Sequence, residues 1–209
     1  MDEQRIGFYL LDVSGHGVPA AMLSVSLSMM LTPDAAHGSP LKRYDRSTGQ
    51  SDVLSPRDAV RELNRRFQPK DDRYFTMLYG VLDTRSSILQ MAQAGHPGPI
   101  LIRKEGDLET LGSGGMPVGI MRDIEFDSFE TYVRPGDRLL LYSDGVTECT
   151  NMQDEAFGEI RLLSYLKQRT VETIDELLEG LLRAIRTWRG STEFGDDVSL
   201  LAIEIGHME

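Results

Sequence analysis

The sequence predicts an α+β sandwich in which helices cover packed sheets. Three observations carry that prediction. The stretch from Phe75 to Ser143 reads as strand after strand joined by short turns, and helix-period segments lie before and after it. No repeat, low-complexity tract or linker divides the 209 residues. A chain of that length suits one sizeable domain with a real core.

The elements follow in order. Arg5 to Asp12 reads as a strand, an apolar run that ends in a carboxylate. Pro19 to Leu31 reads as a helix, with Pro in the first turn where a missing N–H is tolerated. That helix is apolar nearly all round, so it is expected to be buried or packed on a partner, with Met22, Met29 and Met30 as core residues. Residues 32–54 are polar and read as a long surface excursion. Ser55 caps a second helix that has Pro56 first inside and runs to about Phe67.

Phe75 to Asp83 and Ser87 to Ala94 flank a turn at Thr84-Arg85-Ser86, a hairpin signature. Pro99 to Arg103 and Leu108 to Leu111 flank a second turn at Glu105-Gly106-Asp107. Phe126 to Val133 alternates, and Pro135-Gly136-Asp137 then turns the chain into Arg138 to Ser143. Phe157 to Lys167 and Thr173 to Trp188 read as helices, the second opened by Thr173 with Glu176 three residues on, a capping box. Val198 to Ile205 reads as the last strand.

Composition excludes several function classes. Hydrophobic residues at 40% and charged residues at 26% are ordinary for a soluble globular chain. A net charge of −11 opposes nucleic acid and anionic membrane surfaces. Cys149 is the single cysteine, so no intrachain disulfide forms and a reducing cytoplasm is the expected compartment. No apolar run is long enough to span a bilayer, and the first residues carry no signal-peptide pattern.

The chemistry lies where apolar strands meet carboxylates. Asp12 closes the first strand and is followed by Val13-Ser14-Gly15-His16-Gly17. Asp144 follows Arg138-Leu139-Leu140-Leu141-Tyr142-Ser143, and Asp196-Asp197 opens the last strand. Asp beside Gly at one strand end is ordinary turn chemistry. Three such clusters without matching cations indicate an oxygen-ligand site for a hard divalent cation, Mg²⁺ or Mn²⁺. Zinc lacks its usual cysteine cluster or His-Glu-x-x-His helix. Two bound cations would make the chemistry hydrolytic and phosphoryl-directed.

Competing motifs fail on the same residues. A nucleophile elbow needs Gly two positions before Ser14, where Asp12 stands. No phosphate loop with Lys and Ser/Thr occurs. Gly112-Ser113-Gly114-Gly115 has no helix after it and reads as a tight turn. Ser14 reads as a small loop residue, His16 as a neighbour of the site, His96 as a packed turn histidine and Cys149 as a small buried hydrophobe.

Taken together, several segments resemble the PPM (PP2C-type) metal-dependent serine/threonine phosphatases, in their bacterial SpoIIE/RsbU-like branch. The segments are Asp12-Val13-Ser14-Gly15-His16-Gly17-Val18-Pro19-Ala20-Ala21, Thr76 to Asp83, Ala94-Gly95-His96-Pro97, Pro135 to Glu148 and Asp196 to Leu201. Their order spans nearly the whole chain. The resemblance implies a four-layer α-β-β-α sandwich, two antiparallel sheets flanked by helices. It implies that Asp12 bridges two Mn²⁺ or Mg²⁺ ions beside the Val13 carbonyl, that Asp144 and Asp196 hold the second position, and that Asp197 supports them. The nucleophile would be a metal-bridging water attacking the phosphorus of phosphoserine or phosphothreonine in line, with no phosphoenzyme.

The same resemblance sets expectations about context. Family members carry a further acidic motif on a strand ahead of the first segment, and Asp2 and Glu3 do not match it. The chain therefore reads as the C-terminal part of a longer regulatory protein, with a receiver or sensor module upstream. The implied partner is a phosphorylated regulatory protein such as a STAS-type anti-sigma-factor antagonist. The apolar first helix and an open sheet edge admit a homodimer. The other reading is a non-catalytic adaptor on the same fold; against it, such an adaptor would be free to lose Asp12, Asp144 or Asp196, because buried unpaired carboxylates are costly without a metal.

Overall fold

The computed structural model describes residues 4–15, 17–32, 38–44, 48–49, 51–68, 73–169 and 172–206. The chain forms two compact units, Met1–His96 with Gly112–Tyr132, and Pro97–Leu111 with Val133–Glu209. Each has its own sheet and its own helices.

The first unit is built on an antiparallel sheet of β1 (Arg5–Val13), β4 (Phe75–Asp83), β5 (Ile88–Ala94) and β8 (Asp127–Tyr132), in the order β1-β4-β5-β8. The predicted strands and hairpin fall where expected. The Asp83 side chain closes the hairpin turn by accepting the Ser86 N–H at 2.9 Å and the Arg85 N–H at 3.0 Å. Period-2 alternation sets the faces. Met77, Tyr79, Val81, Ala92 and Ala94 join the core with Val60 and Leu63, while Leu78, Leu82, Leu89 and Met91 are buried on the opposite face. Burial pushes the Tyr79 phenol far above its ordinary pKa.

Helix α2 (Pro56–Arg66) starts as predicted, with Ser55 Oγ accepting the Asp58 N–H at 3.2 Å and Pro56 in the first turn. Its buried stripe of Ala59, Val60 and Leu63 follows helical spacing, and it also carries buried Asn64. The Asn64 side chain donates to the Met121 and Arg122 carbonyls at 2.9 and 3.0 Å and accepts the Gly119 N–H at 2.9 Å. Those bonds pin the segment before β8 to the helix.

Strand β1 pairs only with β4 among the described residues and is half-buried, with Ile6 55% exposed, so it forms the open sheet edge expected from the sequence. Two features differ from the sequence expectation. Helix α1 (Val18–Met30) buries only Leu27 fully, and Met22 and Met29, expected in the core, are 67% and 72% exposed. A helix apolar on every side still packs through one face. Here Ala20, Leu23, Leu27 and Met30 face the core, and Val18, Met22, Val25 and Met29 face away. The polar excursion contains a short hairpin, β2 (Lys42–Tyr44) with β3 (Ser51–Val53), anchored by buried Leu41, whose carbonyl accepts the Leu54 N–H at 3.0 Å.

The second unit holds β6 (Ile100–Ile102), β7 (Leu108–Thr110), β9 (Arg138–Tyr142) and β10 (Leu200–Glu204), antiparallel in the order β10-β9-β6-β7. Ile100, Ile102, Leu140 and Tyr142 face helices α4 (Gly158–Lys167) and α5 (Ile174–Arg189), which contribute Leu162, Leu166, Leu177, Leu181 and Ile185. Both halves of the predicted capping box at Thr173 and Glu176 are present, and Gly190 ends α5 in a left-handed conformation at φ 73°. A one-turn helix, α3 (Asp144–Thr147), follows β9 and was not anticipated. No helix of the described residues is long and apolar enough to cross a membrane.

The turn before β9 is locked by a buried carboxylate. Asp137 is fully buried, pairs with the Arg103 guanidinium at 3.0 Å, and accepts the Arg134 and Lys104 N–H groups at 3.0 and 3.1 Å. Removing one partner of such a pair leaves the others desolvated and unpaired. Asp137→Ala is expected to cost about 3 kcal/mol in urea unfolding and Asp137→Asn less, because the amide still accepts one bond. Equal stability of Asp137→Ala and the parent would refute this account.

Candidate metal centre

The carboxylates singled out by the sequence lie at strand ends in both units. In the first unit, β1 and β4 run in register with Asp12 opposite Thr76 and Val13 opposite Phe75. Asp12 is half-buried and Val13 is buried in the core, which fixes the end of the strand. Pairing continues one residue further: Ser14 donates its N–H to the Tyr74 carbonyl at 2.9 Å, and its Oγ accepts the Tyr74 N–H at 3.0 Å. Ser14 is thus spent on holding the loop. Gly15 and Gly17 follow at φ 87° and 82°, conformations that side-chain-bearing residues avoid, and α1 then starts. His16 lies outside the described residues.

Thr76, across from Asp12, shares a 2.8 Å hydrogen bond with Nδ1 of His96, which is 2% exposed. The packed position of His96 matches its reading as a structural histidine. The next anchor is Gln93, which sequence reasoning passed over. Its amide donates to the His96 carbonyl at 2.7 Å and its Oε1 accepts the Ser113 and Gly114 N–H groups, both at 2.9 Å. Those N–H groups are consumed, so the glycine loop is a tight turn and not a phosphate cradle.

In the second unit, Asp144 opens α3 at the end of β9, beside the segment that carries Asp196 and Asp197. Ser143 stitches the two together. Its Oγ donates to the Asp197 carbonyl at 2.8 Å and accepts the Ser199 N–H at 2.9 Å, while its own N–H reaches the Ser199 carbonyl at 3.1 Å. Gly145 permits the approach, because a Cβ there would lie 2.4 Å from the Asp197 carbonyl oxygen. Asp196 and Asp197 are exposed, and the Asp196 carboxylate accepts the Asp197 N–H at 2.8 Å.

One atom stands out in this arrangement. Oδ1 of Asp144 is buried and has no hydrogen-bond partner among the described residues. A desolvated carboxylate oxygen without a donor is costly, and a hard cation is the partner that suits it. Among the described residues, no group of three or more His, Cys, Asp or Glu side chains gathers around one point. A cleft of about 150 Å³ opens beside Asp196, with Gly145, Cys149, Thr150, Arg189 and Phe194 on its walls. Cys149 is buried, as expected for a small hydrophobe. Burial, reinforced by the charge of Glu159, pushes the Tyr142 phenol up to about 12, so it stays neutral at physiological pH.

Comparison with known proteins identifies the family and the fold. The sequence profile described as Stage II sporulation protein E (SpoIIE) matches residues 2–206. The chain is 27% identical over 207 residues to the phosphoserine phosphatase RsbP of Bacillus subtilis, covering 98% of this chain and 47% of that protein. It is 30% identical over 151 residues to the phosphoserine phosphatase RsbU of Bacillus subtilis, covering 71% of this chain and 41% of that protein. The chain thus spans less than half the length of either relative.

Solved structures share the fold. The RsbU and RsbW domains of Rv1364c from Mycobacterium tuberculosis superpose with a TM-score of 0.69 at 26% identity, over 96% of this chain and 52% of that one. The PP2C phosphatase domain of SpoIIE from Bacillus subtilis, solved with a fragment of its regulatory domain, gives 0.73 at 17% identity, over 97% and 55%. The catalytic domain of the serine/threonine phosphatase PstP, solved with two manganese ions, gives 0.66 at 15% identity, over 96% and 88%. The chain has the PP2C fold.

The stitch at Ser143 and Gly145 is open to test. Gly145→Ala is expected to destabilise the fold by about 1–3 kcal/mol, because the Asp197 backbone has to move. Ser143→Ala strands two backbone groups at a cost of about 1–3 kcal/mol. Thermal melts read both effects. Mn²⁺ titration followed by the free-ion EPR signal should show weaker binding in each variant, and unchanged melts and titrations would refute the role given to the stitch.

Proposed function

We propose that this chain, which belongs to the SpoIIE family, is a metal-dependent phosphatase that hydrolyses phosphoserine or phosphothreonine on a regulatory protein. The observation that carries the reading is the buried Oδ1 of Asp144, which has no hydrogen-bond partner among the described residues and is held beside the Asp197 backbone by bonds that do not use it. Asp12, the Val13 carbonyl, Asp144 and Asp196 are assigned as the residues that hold Mn²⁺ or Mg²⁺, with Asp197 in support. The names of RsbP and RsbU support the substrate class, and the manganese-bound PstP domain supports the metal.

The charges explain why these residues need a cation. A phosphoryl group is anionic, and a cluster of carboxylates in a chain of net charge −11 repels it. A divalent metal held by these residues would supply positive charge for the phosphoryl oxygens and would lower the pKa of a bound water. The protein residues fix where this happens. Val13 is immobilised in the core at the end of β1, and Asp144 starts α3, whose position is set by the Ser143 bonds. Ser14, bound to Tyr74, takes no covalent part. A phosphorylated antagonist of the STAS type is the partner class this reading favours.

Hydrolysis of p-nitrophenyl phosphate with added Mn²⁺ or Mg²⁺ tests the proposal. Activity should vanish on chelation, and Asp12→Asn and Asp144→Asn should each lower kcat/KM roughly 100-fold or more, the scale of losing several kcal/mol of charge stabilisation. A folded chain that binds Mn²⁺ yet hydrolyses neither this ester nor phosphoserine peptides would overturn it in favour of an adaptor.

A further inference from the structure

In the first unit, β2 and helix α2 wall a cleft of about 310 Å³ whose charge runs against that of the chain. Five of the 22 basic residues line it: Lys42 and Arg43 from β2, and Arg61, Arg65 and Arg66 from α2. Among the described residues two carboxylates, Asp58 and Glu62, share the walls and leave three positive charges in excess. They orient two of the arginines. Arg61 pairs with Asp58, and Arg66 pairs with Glu62 at 2.9 Å while also bonding the Gly38 carbonyl. Lys42, Arg43 and Arg65 form no ion pair among the described residues, and Arg43 and Arg65 are exposed.

We propose that this cleft docks an acidic segment of the protein on which the phosphatase acts. The inference rests on the phosphatase reading for the identity of the partner, though not for the binding itself. Three observations favour a run of carboxylates over a single phosphate group. Arg61 and Arg65 stand one helical turn apart, about 6 Å along the axis, close to the ~7 Å between alternate side chains of an extended strand. Lys42 and Arg43 of β2 add two more cations to the lining, so the positive charge comes from two elements and not from one point. The side chain of Tyr44, 54% exposed at the same wall, offers an apolar surface beside the charges.

The electrostatics give the cleft a purpose. A chain of net charge −11 repels an acidic partner at long range, and one localised cationic groove selects the orientation in which that partner arrives. Exposed ion pairs of this kind are weak singly and screened by salt, so several acting together are needed.

The test is binding of a fluorescein-labelled hexaglutamate peptide to the full chain, read by anisotropy without metal and without turnover. Saturable binding that weakens as salt rises is expected. Arg43→Glu with Arg65→Glu should weaken it ten-fold or more, whereas Lys167→Glu with Arg183→Glu, the same change of net charge on α4 and α5, should leave it within about three-fold. Should charge reversal disturb folding, as read by circular dichroism, Arg43→Gln with Arg65→Gln should still weaken binding, both side chains being exposed. The proposal is overturned if the parent chain does not bind, if both charge-reversed pairs weaken binding equally, or if inorganic pyrophosphate binds alone and displaces the peptide, which would mark a phosphate site. Binding by a chain without phosphatase activity would overturn the function proposed above and leave the docking cleft standing.

Discussion

Carboxylates repel one another, so an acidic centre cannot assemble through its own side chains; the backbone has to hold it open against that repulsion. In the second unit the work falls to Ser143 and Gly145. The hydroxyl ties the start of α3 to the backbone of Asp197 and Ser199, and the missing side chain at Gly145 lets the Asp197 carbonyl approach to a distance at which no other residue fits. Asp144 and the Asp196-Asp197 pair keep their places through bonds that use none of the Asp144 Oδ1 valence. The first unit follows a related design, in which β1 is paired with β4 up to Ser14 and the carboxylate of Asp12 arrives at the last rungs of the ladder.

Asp137 shows what a structural carboxylate looks like in the same chain. It is as deeply placed as any polar group here, and it is satisfied by a guanidinium and two backbone N–H groups. Asp144, seven residues later in the sequence, keeps one buried oxygen without any donor. Burial alone therefore does not distinguish the two. The distinction lies in the partners: Asp137 has a guanidinium and two N–H donors, whereas Asp144 Oδ1 has no donor among the described residues.

Much of the fold was legible because each signal was local. Apolar runs bounded by turn signals placed β4, β5 and β9, and Ser55-Pro56 and Thr173 with Glu176 placed two helix starts within a residue. The failures have physical causes. The apolar residues of α1 do not encode which face packs, so Met22 and Met29 were assigned to a core that Leu27 occupies. Strands of three residues in a polar stretch leave no period to detect, which hid β2 and β3. The acidic residues of the site were visible as strand ends, whereas the functions of Ser143 and Gly145 depend on a segment more than fifty residues away. Gln93 and Asn64 were missed for the same reason: a buried amide looks like any polar residue until its distant partners are placed.

The distribution of charge connects these features. An acidic surface keeps nucleic acid away and leaves phosphate chemistry to sites where positive charge is concentrated. The molecule has two ways of concentrating it. At the carboxylate centre, on the function proposed above, a divalent ion would supply it and would face a phosphoryl group at short range. At the β2–α2 cleft it is built from arginine and lysine, which act over a wider area and more weakly. Short-range charge suits bond-breaking, because only groups adjacent to the reacting oxygens stabilise the transition state. Diffuse charge suits the capture of a protein surface, where several exposed pairs sum to an orientation. A substrate that is both phosphorylated and acidic needs the two together, since a metal centre alone would accept any phosphate ester that reached it.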